Sequence, residues 1–131
     1  LGAITIFHKV PQRPGKPILA AIGPRQQLIL GLPGNPVSVL VTAHRFAVPA
    51  LEHIAGLTTP RNRPAISIAN PDSQTIPLWW HRIVRLTHDG RAELIDNKGS
   101  GDQIATARST GFLEIPPNTS TSGPWPYYEW R

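Results

Sequence analysis

The chain has 131 residues, 40% of them hydrophobic, with 13 Lys plus Arg against 8 Asp plus Glu for a net charge of +5. This length and composition suit one compact domain, or one small domain with part of another, and exclude wholesale disorder. The absence of cysteine excludes disulfides, thiolate metal sites and a cysteine nucleophile, and no apolar run of about 18 residues exists to cross a membrane.

The sequence has no methionine and starts at Leu1, so a fragment or a processed product is expected. Residues 1–10 lack the basic flank and long apolar core of a signal peptide. Arginines outnumber lysines ten to three, a balance that favours phosphates and other oxyanions as partners. The charges are scattered and form no basic stripe, so nucleic acid is not expected as a partner.

Taken in chain order, residues 4–7 (Ile-Thr-Ile-Phe) read as a strand. Residues 11–17 hold three prolines and Gly15 and read as a loop without regular pairing. Apolar runs at 18–22 and 27–30, joined by Gly23-Pro24-Arg25, suit a hairpin. A helical pattern then opens at Asn35-Pro36. Asn35 has the side chain of an N-cap and Pro36 is preorganised for the first helical position. Val37, Leu40, Val41 and His44 share one face at helical spacing. Pro49 predicts a kink or a restart, and Gly56 a stop.

The character changes after Leu57. Residues 58–63 are polar and proline-rich, as a linker is, and beyond them the period becomes two. Strands are expected at 66–69, 79–86, 92–95, 112–115 and 125–130, with a hairpin turn at His88-Asp89-Gly90-Arg91. In 79–86, Trp80, Arg82, Val84 and Leu86 face one side and Trp79, His81, Ile83 and Arg85 the other. Short strands with frequent turns point to a small barrel or sandwich. Asp102 can cap a short helix over 103–109.

Three segments carry possible chemistry. Gly31-Leu-Pro-Gly-Asn-Pro-Val-Ser38 is strand, tight loop and helix start, where free backbone N–H groups favour an anion and the Ser38 hydroxyl can join. It also reads as a capped turn with no ligand. Arg13-Pro-Gly-Lys-Pro17 fixes two cations three residues apart, an oxyanion clamp or a solvated turn. Gly99-Ser-Gly-Asp102 offers Ser100 as a donor on a glycine hinge. The five histidines show no metal-ligand spacing and read as surface or core-edge residues. Trp79-Trp80 reads as core and rim rather than a binding platform.

In their order and spacing, Pro14-Gly-Lys-Pro17, Gly31-Leu-Pro-Gly-Asn-Pro-Val-Ser38, Val48-Pro-Ala-Leu51, Gly99-Ser-Gly-Asp102 and Arg108-Ser-Thr-Gly-Phe-Leu-Glu-Ile-Pro116 resemble the C-terminal portion of the molybdopterin molybdenumtransferase (MoeA) family. The E domain of gephyrin and its plant counterpart share that portion. The resemblance covers residues 1–116. It implies an α/β fragment followed by a small, mainly antiparallel β-barrel domain. Residues 1–57 would be the C-terminal part of the molybdopterin-binding α/β domain, 58–63 the linker and 64–131 the barrel. It also implies a cytoplasmic, homodimeric parent enzyme that inserts molybdate into adenylylated molybdopterin with Mg2+ and releases AMP. By resemblance, Arg13, Lys16, Pro33, Gly34, Asn35, Ser38 and Ser100 surround molybdate and molybdopterin, and no metal site falls within this chain.

The chain departs from the family pattern at several points. The Gly-Gly-x-Ser-Val-Gly motif and the acidic Mg2+ site are absent. Gln74, Thr75, Ile76 and Pro77 stand where an arginine is common, and Thr110 where asparagine is usual. The resemblance therefore implies a chain that is inactive alone. The alternative is a non-catalytic scaffold, with the same barrel binding a peptide in an exposed apolar groove. Apolar edges exposed on 4–7 and on the 37–41 helix face would favour a dimer or larger oligomer.

Overall fold

The computed structural model describes residues 2–59, 61–96, 99 and 101–130. Strands β1 (Ile4–His8) and β2 (Gln12–Arg13) come first, followed by the hairpin of β3 (Leu19–Ile22) and β4 (Leu28–Gly31). β1, β3 and β4 form an antiparallel three-stranded sheet in that order. The hairpin turns where expected. The N–H of Gln26 donates to the Gly23 carbonyl at 3.0 Å and that of Gly23 to the Gln27 carbonyl at 2.8 Å.

Helix α1 (Pro36–Thr42) starts at the expected proline. Asn35 occupies the N-cap position with extended backbone, but its side chain makes no capping hydrogen bond. Its contribution is the backbone carbonyl, which accepts from Val39 N–H at 2.9 Å. The buried face is Val37, Ser38, Val41 and Thr42, so the face predicted to include Leu40 and His44 is rotated. Burial of a polar residue is what the apolar pattern missed. The Thr42 hydroxyl donates back to the Ser38 carbonyl at 2.7 Å and needs no water.

A π-helical turn (Ala43–Ala47) leads into α2 (Val48–Ile54), with Pro49 in its first turn. Pro49 has no N–H for the carbonyl four residues back, so the helix widens and restarts there. Gly56 ends it at φ +83°, its N–H donating to the His53 carbonyl at 3.0 Å.

The second sheet contains β5 (Ala65–Ile66), β6 (Trp79–Leu86), β7 (Ala92–Leu94), β8 (Gly111–Ile115) and β9 (Trp125–Glu129), with the short helix α3 (Gln103–Ala107) between β7 and β8. Asp102 caps α3 as expected, its carboxylate accepting from Ala105 N–H at 2.9 Å. The strand order is β2-β6-β8-β9-β5, with β7 also on β6. Among the described residues these ladders form a mainly antiparallel sheet and do not by themselves establish the expected small β-barrel. Beyond them, a single parallel bridge joins Ile68 to Ala92, where the Ala69 N–H donates to the Ala92 carbonyl at 2.7 Å.

The predicted loop at 11–17 needs correcting. Gln12 and Arg13 pair in parallel with Trp79 and Trp80 of β6. Proline lacks a donor but keeps its acceptor, and the Pro11 carbonyl takes the Trp79 N–H at 2.9 Å.

The alternation of β6 sorts its residues into two cores. Trp80 and Val84 join Leu113, Ile115 and Tyr127 on one side. Ile83 joins Val37, Val41, Phe112 and Tyr128 on the other. The helix face expected to lie open at 37–41 is therefore covered by the second sheet. Its burial contributes roughly 1.5–3 kcal/mol for each fully buried apolar side chain. Ile4 and Ile6 remain exposed, at 74% and 58%.

Candidate functional site

A cleft of about 730 Å³ lies where β2, the start of α1 and β6 meet. Arg13, Lys16, Pro33, Gly34, Asn35 and Ser38 all line it. Six of the seven site residues expected from sequence thus share one wall system. The seventh, Ser100, lies outside the described residues, although its neighbour Gly99 lines the same cleft.

The loop that presents the two cations is held at both ends and in the middle. The Val10 N–H donates to the Lys16 carbonyl at 3.0 Å. Buried Gln12 donates from Nε2 to the Pro14 carbonyl at 3.1 Å. Gly15, at φ +91°, packs so closely on α1 that an added Cβ would stand 2.5 Å from Thr42 Cγ2. Only glycine fits both that backbone and that approach. Arg13 and Lys16 themselves are solvent-exposed, so a ligand reaches them without rearrangement of the core.

The opposite wall was not predicted as part of a site. It is built from Gln74, Ile76, Trp80, His81 and Arg82, with Asp96 nearby. Arg82 adds a third cation. Its Nη1 donates to Asp72 Oδ2 at 3.0 Å and its guanidinium sits 4.3 Å from the centre of the Trp80 ring. Asp72 is fixed in turn by Thr121, whose hydroxyl accepts from Asp72 N–H and donates to the Asp72 carbonyl, each at 2.7 Å. The period-two pattern of 79–86 located this strand but could not say that its first residues border a cleft.

His81 corrects the reading of the histidines as surface or core-edge groups, since it is only 3% exposed. Its Nε2 lies 3.3 Å from Glu114 Oε2, and its ring meets Phe112 edge-to-face at 5.5 Å. Glu114 also pairs with Arg45 Nε and accepts from the Tyr128 hydroxyl at 3.4 Å. Burial pushes the Glu114 carboxyl up, but the His81 hydrogen bond and the Arg45 and His81 charges outweigh it and hold the carboxyl below its ordinary value. Burial, followed by the Glu114 charge, raises the Tyr128 phenol. The His81 Nδ1 is buried without a hydrogen-bond partner.

Thr110, the other departure from the family pattern, lies away from the cleft. Its hydroxyl accepts from Leu86 N–H at 2.9 Å and from the Tyr127 hydroxyl at 3.0 Å. Among the described residues, no group of three or more His, Cys, Asp or Glu is arranged to hold a metal ion. No described helix is long and apolar enough to cross a membrane.

Residues 2–53 match the family described as "Probable molybdopterin binding domain". The chain is 36% identical to a molybdopterin molybdenumtransferase of Synechocystis over 99% of its own length and 33% of the relative's. It is 39% identical to that of Synechococcus elongatus over 88% of its length and 28% of the relative's. In fold it is similar to a molybdopterin biosynthesis moeA protein from Pyrococcus horikoshii, with a TM-score of 0.76 at 23% identity, covering 96% of this chain and 32% of that one. The chain spans about a third of the length of these relatives. Over that third it is homologous to these molybdopterin molybdenumtransferases, and the family match at residues 2–53 falls within it.

Proposed function

We propose that the chain serves molybdenum cofactor biosynthesis by holding molybdate for insertion into adenylylated molybdopterin, the reaction that releases AMP. One observation carries this reading: Arg13 and Lys16 on one loop and Ser38 on α1 line a single cleft. Molybdate is a tetrahedral dianion. Two exposed cations on a rigid loop and a hydroxyl at a helix start match its charge and its acceptor oxygens. The catalytic contribution of such a set is electrostatic positioning of the anion rather than covalent chemistry.

In this reading, residues 1–57 are the C-terminal part of a molybdopterin-binding α/β domain, 58–63 a linker, and 64–131 a second domain of the barrel type. The whole enzyme is a cytoplasmic homodimer. By the resemblance, its Mg2+ would be held by acidic residues upstream of the segment matched here. The chain alone is inactive.

The scaffold alternative calls for an exposed apolar groove on the second sheet. Large apolar side chains are exposed on α2 and its exit (Leu51, Ile54, Leu57) and on β6 (Trp79), so the enzymatic reading is favoured by the joint lining of one cleft by Arg13, Lys16 and Ser38.

Calorimetric titration of the chain with molybdate, in wild type and Lys16→Ala, tests the proposal. Binding that weakens in the variant and falls with added salt is expected. Equal affinities at low salt would reduce Lys16 to a solvated surface charge and remove the reading.

A further inference from the structure

One residue lining the cleft carries a buried polar atom whose hydrogen-bonding capacity the protein does not use. His81 lines the cleft and is nine-tenths or more buried, and its Nδ1 has no partner. Its other nitrogen is committed, because Nε2 faces the Glu114 carboxylate. That carboxylate is kept ionised, being held below its ordinary value with Arg45 at its other side. An ionised carboxylate only accepts, so Nε2 carries a proton and donates it to Glu114. Orphaned buried polar groups are costly and call for an explanation. The ring's edge-to-face contact with Phe112 at 5.5 Å accounts for its burial but gives Nδ1 no partner.

We propose that His81 is a ligand-contacting residue of the cleft, its Nδ1 donating a hydrogen bond to the bound tetrahedral oxyanion while Glu114 positions the ring through Nε2. The proposal rests on the reading of the cleft as an oxyanion site. With Nε2 donating to Glu114, Nδ1 is the nitrogen without a proton, so binding of the dianion takes up one proton from solvent at Nδ1, and the ring then gives one hydrogen bond to Glu114 and one to an oxyanion oxygen. The positive ring joins Arg13 and Lys16 in opposing the dianion. Glu114 is a positioning residue, since it contacts the ring and not the ligand.

Two replacements separate this role from a structural one. In His81→Asn the amide nitrogen takes the place of Nδ1 and gives up the bond to Glu114. In His81→Gln the amide nitrogen takes the place of Nε2 and keeps that bond. If His81 contacts the ligand, molybdate binding in His81→Gln weakens about tenfold or more, the size of a lost charge-assisted hydrogen bond. His81→Asn then retains more of the affinity, even where its melting temperature is the lower of the two. The reverse order, or wild-type affinity in both, overturns the proposal while leaving a Lys16-dependent site in place.

Nitrogen-15 NMR of the His81 ring in the wild-type chain decides the matter should either variant fail to fold. Addition of molybdate is expected to move the Nδ1 signal and to leave that nitrogen protonated. An unmoved signal in a chain that binds molybdate overturns the role of His81 alone. A wild-type chain that does not bind molybdate overturns the oxyanion reading together with this one.

Discussion

The Trp79 N–H donates to the Pro11 carbonyl at 2.9 Å, and this bond joins the loop that bears Arg13 and Lys16 to the strand that bears Trp80, His81 and Arg82. Two segments more than 60 residues apart in sequence are thus in register at the cleft. The cation loop is a two-residue strand of the second sheet that also packs under α1. Its geometry is set by both halves of the chain.

Gly15 is the point at which that arrangement is most easily broken. In Gly15→Ala the new Cβ meets Thr42 Cγ2 at 2.5 Å and Gln12 Nε2 at 2.8 Å, on a backbone at φ +91°. Strain of this kind costs about 1–3 kcal/mol, and relief requires the loop to move off α1. The variant should melt at a lower temperature and bind molybdate more weakly. Gly90→Ala is the control, since φ there is +78° but nothing lies within 4 Å of the added Cβ. It should lose stability without losing affinity. Unchanged binding in Gly15→Ala would mean that the loop's fixed geometry is irrelevant to the anion.

Phe112 is the packing link between the helical segment and the second sheet. It is fully buried, stacks on Tyr128 at 4.5 Å and receives the edge of His81. Phe112→Ala should destabilise by about 3–5 kcal/mol. Ile104→Ala, at an exposed position on α3, should change stability by less than about 0.5 kcal/mol. Denaturant unfolding followed by tryptophan fluorescence checks both. A small loss at Phe112 would show that the two cores are energetically independent of it.

Much of this was legible in the sequence wherever the signal is local. Pro36, Pro49, Gly56 and Asp102 act on their own backbone, so the helix start, restart and stop and the cap of α3 fall where expected. The strand at 79–86 has an unbroken period, and its residues do divide between two faces. What was missed depends on partners remote in sequence. Nothing at 11–17 announces that Pro11 accepts a bond from Trp79. Nothing near His81 announces Glu114, and the apolar count along α1 could not foresee a buried Thr42. The site followed the same rule. The Arg13, Lys16 and Ser38 side was readable from motifs, whereas the wall with Gln74, His81 and Arg82 exists only once β6 lies beside β2.

The exposed strand β1 makes association testable. Among the described residues β1 pairs only with β3, and Ile4 and Ile6 stand out on it as large exposed apolar residues. An unpaired edge with exposed β-branched side chains is a template for another chain. Light scattering should therefore give a mass above that of the monomer, and Ile6→Lys should move it towards the monomer. A clean monomer at high concentration in the wild type would rule out self-association through this edge.

The Glu114 network sets an acid limit on stability. The carboxyl lies below its ordinary value of 4.5 in the fold, because the His81 bond and the Arg45 charge outweigh its burial. A depressed folded value means that the unfolded state binds the proton more readily. The contribution of Glu114 is therefore complete above about pH 4.5 and is lost as the pH falls through the folded value. Asp89, held low chiefly by its hydrogen bonds from Thr87 and Arg91, adds to the same acid slope from an exposed turn, so the wild-type curve alone cannot isolate Glu114. Glu114→Gln does, since the amide keeps an acceptor but has no charge for Arg45 and no proton to gain. The variant should be less stable by roughly 1–3 kcal/mol near neutral pH, and the gap between the two unfolding curves should narrow as the solution is acidified below pH 4.5. A gap that stays constant across that window would mean that the charge of Glu114 is not what stabilises the network around His81.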